Sequence, residues 1–287
     1  ALRSAGVRAF CTGARGLLAE RTPDGDWWAR CLNGPTGDRR DLLDAAFSED
    51  TERLWFCGEN GALGSYDRVT GTIRVHEGST GRIRCADRPD RSDRPNRADR
   101  TDRAASFRAI EVSGCRSDET VTVADERGRL SRLSVSGNDL SMGGVSVPGD
   151  GAAVTTLTTV GGTLVAADFG GRLSWETDRG WRSRRLSTTP LVGLVGTARH
   201  SPSDPSPQRS LVAVEAGGRL YRHALPSEPG RLEAVDPGVE RPRAVAAAGD
   251  RIVVVGGQRY RNPDDCGRAE LAVLDGDRGV RAAPETA

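Results

Sequence analysis

LVAADFGGRLSWET, residues 164–177, is a short apolar run, an acidic residue, a Gly-Gly pair and an alternating stretch that opens on leucine. Gly-Gly and Asn-Gly turns of two residues favour positive φ and match the twist of a hairpin. The stretch therefore reads as two antiparallel strands joined by a tight turn. The unit returns as LWFCGENGALGSYD (54–67), VTVADERGRLSRLS (121–134) and LVAVEAGGRLYRHA (211–224). A looser copy is RAFCTGARGLLAER (8–21), and a degenerate one is IVVVGGQRYR (252–261). Asn60-Gly61, Gly170-Gly171 and Gly217-Gly218 carry the strongest turn signals.

Taking the glycine before each leucine strand as a marker gives Gly16, Gly61, Gly128, Gly171 and Gly218, with Gly257 as the nearest equivalent in the last copy. The spacings are 45, 67, 43, 47 and 39 residues, and the long one returns to 45 once a polar insertion at 82–103 is set aside. An inner run precedes each marker hairpin, as in LLDAAFS (42–48), FRAIEV (107–112), VTTLTTV (154–160), LVGLVGT (191–197) and RAVAAAG (243–249). A more polar segment closes the unit, as in TIRVHEG (72–78), WRSRRLS (181–187) and VRAAPE (280–285). Four short strands per period of this length predict a β-propeller, in which each small sheet buries its faces only against its neighbours. The expected fold is all-β: a six-bladed β-propeller of four-stranded blades, with seven blades as the alternative, forming one domain over 1–287. The first copy lacks a clear inner run, so either residues 1–5 supply it or the C-terminal segment closes the ring. No segment sustains a 3.6-residue period, and helices are not expected.

LWFCGENGALGSYDRVTG (54–71), the GGRL copies and TDRGW (177–181) resemble haloarchaeal WD/YVTN/BNR-like repeat propellers, which are similar to photosystem II assembly-factor-like propellers. The likeness runs from about residue 6 to 260 and lies in the repeat, not in an active-site motif. It implies an archaeal β-propeller. TPDGDWW (22–28) and TDRGW also resemble worn Asp-boxes. The resemblance implies that these are structural hairpin turns and not catalytic elements.

Composition narrows the function. All 41 basic residues are arginine, which removes P-loop, Schiff-base and kinase-type lysines, and 40 acidic residues balance them. With no net basic field, nucleic acid is not an expected partner. The six cysteines (11, 31, 57, 85, 115, 266) form no CxxC, and Cys11, Cys31 and Cys57 sit in apolar runs as small buried hydrophobes. The histidines, His76, His200 and His223, are far apart and read as solvated residues. No zinc, calcium, P-loop, dinucleotide or nucleophile-elbow motif is present, so neither metal nor cofactor is expected. No apolar run is long enough to span a bilayer, and the first residues lack a leader's apolar core, so a cytoplasmic monomer is expected. The insertion alternates Asp and Arg around two prolines and is expected to be disordered, while HSPSDPSPQR (200–209) reads as a linker between strands.

The most informative charges are positional. Arg129, Arg172 and Arg219 follow the marker glycine in three successive copies, which places them around one mouth of the ring. Such an arc can grip a carboxylate or phosphate through the planar guanidinium fork. Glu126, Asp168 and Glu215 precede them closely and Glu59 lies near the equivalent turn, so neutralisation across each hairpin is the simpler expectation. A glycosidase would need two opposed carboxylates about 5–9.5 Å apart, and only these four are candidates. Trp55, Trp175, Trp181 and Tyr221 are expected to pack between blades and not to stack on sugar. The expected function is a non-enzymatic scaffold whose loops at one end of the ring hold a protein partner. The alternative is a carbohydrate-active, sialidase- or glycosidase-like, or anion-binding propeller.

Overall fold

The computed structural model describes residues 2–5, 8–22, 24–35, 37–76, 105–116, 118–137, 139–201, 204–225, 233–235, 239, 241–248, 251–257, 269–275 and 281–282. These form six antiparallel sheets of four strands, each taken from one continuous stretch of chain. Sheet 1 holds β1 (Leu2–Ala5), β2 (Arg8–Thr12), β3 (Leu18–Arg21) and β4 (Trp27–Cys31); sheet 2 holds β5 (Leu42–Phe47), β6 (Arg53–Gly58), β7 (Leu63–Asp67) and β8 (Thr72–Val75). Sheet 3 holds β9 (Phe107–Ser113), β10 (Glu119–Asp125), β11 (Leu130–Ser136) and β12 (Asp139–Ser146); sheet 4 holds β13 (Val154–Val160), β14 (Thr163–Asp168), β15 (Arg172–Thr177) and β16 (Gly180–Arg185). Sheet 5 holds β17 (Leu191–Ser201), β18 (Asp204–Glu215), β19 (Leu220–Leu225) and β20 (Glu233–Val235); sheet 6 holds β21 (Pro242–Ala248), β22 (Arg251–Gly257), β23 (Ala269–Asp275) and β24 (Arg281–Ala282).

The first strands of successive sheets pack side by side, β1 on β5, β5 on β9, β9 on β13, β13 on β17 and β17 on β21, and β21 packs on β1. The sheets thus stand around an axis as the small blades of a β-propeller. Successive side chains of a strand point to opposite faces, so each middle strand feeds two boundaries. Val121 and Val123 of β10 join Trp55, Cys57 and Leu63 of sheet 2, while Ala124 of the same strand joins Val154, Leu157 and Ala166 of sheet 4. Five apolar clusters of this kind fill the boundaries from sheets 1 and 2 to sheets 5 and 6.

Several expectations are corrected. No seventh sheet exists among the described residues. Of the two alternatives for the first copy's inner strand, the structure has residues 2–5, as β1, and among the described residues no strand from the other end of the chain joins sheet 1. In the last copy Gly257 ends β22 and is not the turn before the next strand; that partner is β23, which begins twelve residues further on. The Ser/Pro-rich stretch is not a plain linker, because β17 and β18 stay paired out to Ser201 and Asp204. The insertion at 82–103 lies outside the described residues. No helix among the described residues is long and apolar enough to cross a membrane.

Candidate functional site

The marker turns build one end of the ring. Gly16, Gly61, Gly128, Gly171 and Gly218 all take positive φ. At Gly171 a Cβ would meet Ser187 O at 2.3 Å, and at Gly128 it would meet Ala152 O at 2.3 Å. Both oxygens belong to the connection that leads into the next sheet, so only glycine lets turn and connection share this space. Three residues before the marker stands a buried carboxylate in sheets 3, 4 and 5: Asp125, Asp168 and Glu215. Asp125 Oδ1 accepts the Arg127 and Arg129 N–H groups at 2.9 Å each, and Asp168 Oδ1 accepts the Arg172 N–H at 2.8 Å. These acids satisfy turn N–H groups that have no partner in the ladder.

A second repeated feature aims side chains at the axis. Each inner strand of sheets 2 to 6 slips its register at its second residue: Leu43, Arg108, Thr155, Val192 and Arg243 are skipped between paired neighbours. A bulge of this kind re-aims the extra residue. All five line a cavity of about 860 Å³ at the turn end of the ring, with Glu126, Phe169 and Arg241 beside them. Arg241 lies at φ 49, a left-handed conformation that costs a non-glycine residue on the order of 1 kcal/mol. Phe169 is 65% exposed. Among the described residues no carboxylate pairs with Arg108, Arg241 or Arg243. The mouth is therefore a cationic, partly apolar basin with one carboxylate.

The arginines named from the sequence sit on the same turns, and two of the three are engaged by carboxylates. Arg129 Nη2 pairs with Asp125 at 2.8 Å, and Arg172 Nη2 with Asp150 at 2.7 Å; Arg219 is exposed. The turn acids also sort differently than expected. Asp125, and not Glu126, is the counterpart of Asp168 and Glu215, while Glu126 and Glu59 hold the next position. Glu215 accepts the Tyr221 hydroxyl at 2.9 Å, and burial with that bond pushes the phenol up. Glu59 accepts the Asp41 N–H at 3.3 Å. Of the four carboxylates considered for glycosidase chemistry, only Glu126 lines the mouth. The Asp-box-like stretches are hairpin turns: Thr177 Oγ1 donates to Gly180 O at 2.6 Å between β15 and β16, and the Asp26 N–H donates to Thr22 Oγ1 at 3.2 Å between β3 and β4.

Arg108 stands second in its inner run, as do Leu43, Thr155 and Val192, but Arg243 opens its run as the sequence divides it, so aligning the runs on their second residue points to Arg108 and misses Arg243. No sequence signal marks the slip that turns it inward.

His76 is not solvated as expected. It is 9% exposed, stacks on Trp55 at 4.8 Å and shares a 3.1 Å hydrogen bond with Ser65. Burial, with Arg53 and Arg74 nearby, lowers its pKa to about 4. Below it, Arg53 Nη1 reaches Glu119 Oε2 of the next sheet at 2.8 Å, and Trp55 Nε1 donates to the same oxygen at 3.0 Å. Burial pushes the Glu119 carboxyl up. The side chains of His200 and His223 lie outside the described residues. Cys57 is buried and Cys11 and Cys31 are half-buried, all as free thiols, and burial pushes the Cys11 thiol up. Among the described residues no three His, Cys, Asp or Glu side chains come together as a metal site.

No protein-family model and no curated protein matches this sequence. Among solved structures 1329 chains match, so the architecture is common and does not by itself select a function. One is a chain in the crystal structure of a mitotic checkpoint complex, similar at TM-score 0.62 and 13% identity over 96% of this chain and 75% of that one. The likeness, with the arrangement of sheets, supports a β-propeller fold.

Proposed function

We propose that the protein is a non-enzymatic interaction scaffold, a closed ring of six blades whose turn end holds an acidic segment of a protein partner. The observation that carries this reading is the set of guanidiniums of Arg108, Arg241 and Arg243 around one cavity, which pair with no carboxylate among the described residues, with exposed Phe169 as an apolar anchor. Guanidinium forks match carboxylates, and an exposed aromatic in a cationic basin suits a peptide better than a small ion. Among the described residues the basin has no histidine, cysteine or serine, and its Thr155 hydroxyl is bound to Leu191 O and Ala167 O. That inventory supports holding over chemistry. A similar chain sits in a multiprotein complex, which agrees with a protein partner. Around the rim of the basin stand Arg129 and Arg172, each held by a carboxylate, and exposed Arg219, which contribute less to the hold than the mouth. Kinship with the haloarchaeal repeat propellers rests on the repeat residues themselves.

The test is affinity capture from the source cell with wild type, an Arg108→Ser/Arg241→Ser/Arg243→Ser variant and an Arg129→Ser/Arg172→Ser/Arg219→Ser variant. One stoichiometric protein should be retained by wild type and weakened at least about tenfold by the mouth variant, with a smaller, salt-dependent loss for the rim variant. Equal retention by the mouth variant refutes the proposal.

A further inference from the structure

One boundary between sheets is built unlike the others. Six residues before and four after the marker glycine stand two directly opposed residues: Trp55–Ser65 in sheet 2, Thr122–Arg132 in sheet 3, Val165–Trp175 in sheet 4 and Val212–Arg222 in sheet 5. Sheets 2, 4 and 5 place at least one apolar side chain from this pair against the next sheet. Sheet 3 places none. A cleft of about 660 Å³ opens there between sheets 3 and 4. Small-molecule sites occupy about 300–1,000 Å³.

Two glycines keep the cleft open. Gly144 of β12 stands directly opposite Arg132, and the register slips at Gly143 beside it. Both glycines line the cleft, and neither has positive φ. A Cβ on Gly143 would sit at an ordinary 3.6 Å from Arg132 O, and one on Gly144 would meet nothing within 4 Å. Neither backbone conformation nor a close neighbour demands glycine at these positions. What the two do is withhold side chains from the cleft.

The lining decides what can enter. Arg132 pairs with Glu176 across the cleft, the Gly114 N–H donates to Glu49 at 3.0 Å, and the Thr159 N–H donates to Glu111 at 2.7 Å. Each charged side chain of the lining thus has a partner within the protein, and a bound ion would find no free counter-charge. What stands open is hydroxyl. Among the described residues Ser113, Thr120, Thr122, Ser134 and Ser146, all of sheet 3, line the cleft with no hydrogen-bond partner for their side chains. Thr122 is only 5% exposed, so its hydroxyl is reached through the cleft alone. Leu164, also lining it, belongs to the apolar cluster with Leu157 and Ala166 and forms a nonpolar wall. A hydroxyl both donates and accepts, so a hydroxyl-rich ligand bonds this lining without breaking an ion pair.

We propose that the cleft between sheets 3 and 4 binds a small saccharide of one or two rings, whose hydroxyls bond Thr122 and its neighbours on sheet 3 while a ring face lies on Leu164. The site shares no residue with the cationic mouth and does not depend on what the mouth holds.

The test titrates the full chain, by saturation-transfer NMR, with glucose, galactose, mannose, N-acetylglucosamine, maltose, cellobiose and lactose, each also as its methyl glycoside. At least one should bind saturably. Gly144→Leu, which puts a side chain into the cleft, should abolish that binding with thermal unfolding unchanged. Thr122→Val should weaken it at least about fivefold, and Thr122→Ser, which keeps the hydroxyl, should stay within about twofold of wild type. A methyl glycoside that binds as well as the free sugar identifies the end of a glycan as the ligand, and one that does not identifies the free sugar. The Arg108→Ser/Arg241→Ser/Arg243→Ser variant should bind the sugar as wild type does, which separates this site from the mouth. Binding of none of these sugars, binding undiminished by both Gly144→Leu and Thr122→Val, or a Thr122→Ser as weak as Thr122→Val would overturn the proposal.

Discussion

The boundary between sheets 2 and 3 and the boundary between sheets 3 and 4 share one register and end in opposite states. At the first, Trp55 is fully buried under His76 and an Arg53–Glu119 pair ties the two sheets. At the second, the same position holds Thr122 and the space stays open. Both boundaries keep an apolar half: Phe107, Ile110 and Val121 with Trp55 in one, Ala109, Leu130, Val154 and Leu157 in the other. The comparison shows that the apolar half suffices to seat neighbouring blades, and that the other half is free to become either a polar lock or a cleft.

Breaking the lock has the largest expected effect. Glu119→Ala leaves Arg53, whose side chain is 11% exposed, without its partner, and unfolding in urea should show a loss of about 3–5 kcal/mol. Replacing both partners with apolar residues, Arg53→Met with Glu119→Leu, should restore most of it; a double variant as weak as the single one would show that the ion pair itself carries the boundary. His76 gives a middle effect. Its folded pKa of about 4 lies below the ordinary histidine value, so the unfolded chain takes up the proton first. Its contribution is complete above about pH 6.5 and declines by about 1 kcal/mol per pH unit down to about pH 4. The stability difference between wild type and His76→Phe, measured from pH 7 to 4, should follow that slope, and a flat difference would place His76 in water. The smallest effect belongs to the open boundary. Thr122→Val replaces a hydroxyl that lines the cleft and has no hydrogen-bond partner among the described residues, and stability should change by less than about 1 kcal/mol, with no loss.

What the sequence revealed of this contrast follows from which contacts leave a trace in it. Gly128 and Gly171 announce their turns because positive φ and the adjoining carbonyl exclude other residues, and Gly218 announces its turn through positive φ. The runs at 107–112 and 154–160 announce inner strands because burial demands apolar positions. A one-residue slip leaves no such mark, since Arg108, Thr155 and Arg243 have no common chemistry, and the mouth stayed hidden while Arg129 and Arg172 beside the visible glycines drew attention. Spacing alone also chose Glu126 over Asp125, because the N–H groups that hold Asp125 appear only once the turn is folded. The strand at 269–275 leaves no mark for a related reason: the glycine equivalent to the markers ends the strand before it.

The inward slip at Leu43, Arg108, Thr155, Val192 and Arg243 is a property of the backbone, shared by residues with nothing else in common. Direction and identity are thereby uncoupled at the axis. Point changes can rewrite what the opening attracts, one spoke at a time, while the packing that keeps the wheel round is left alone.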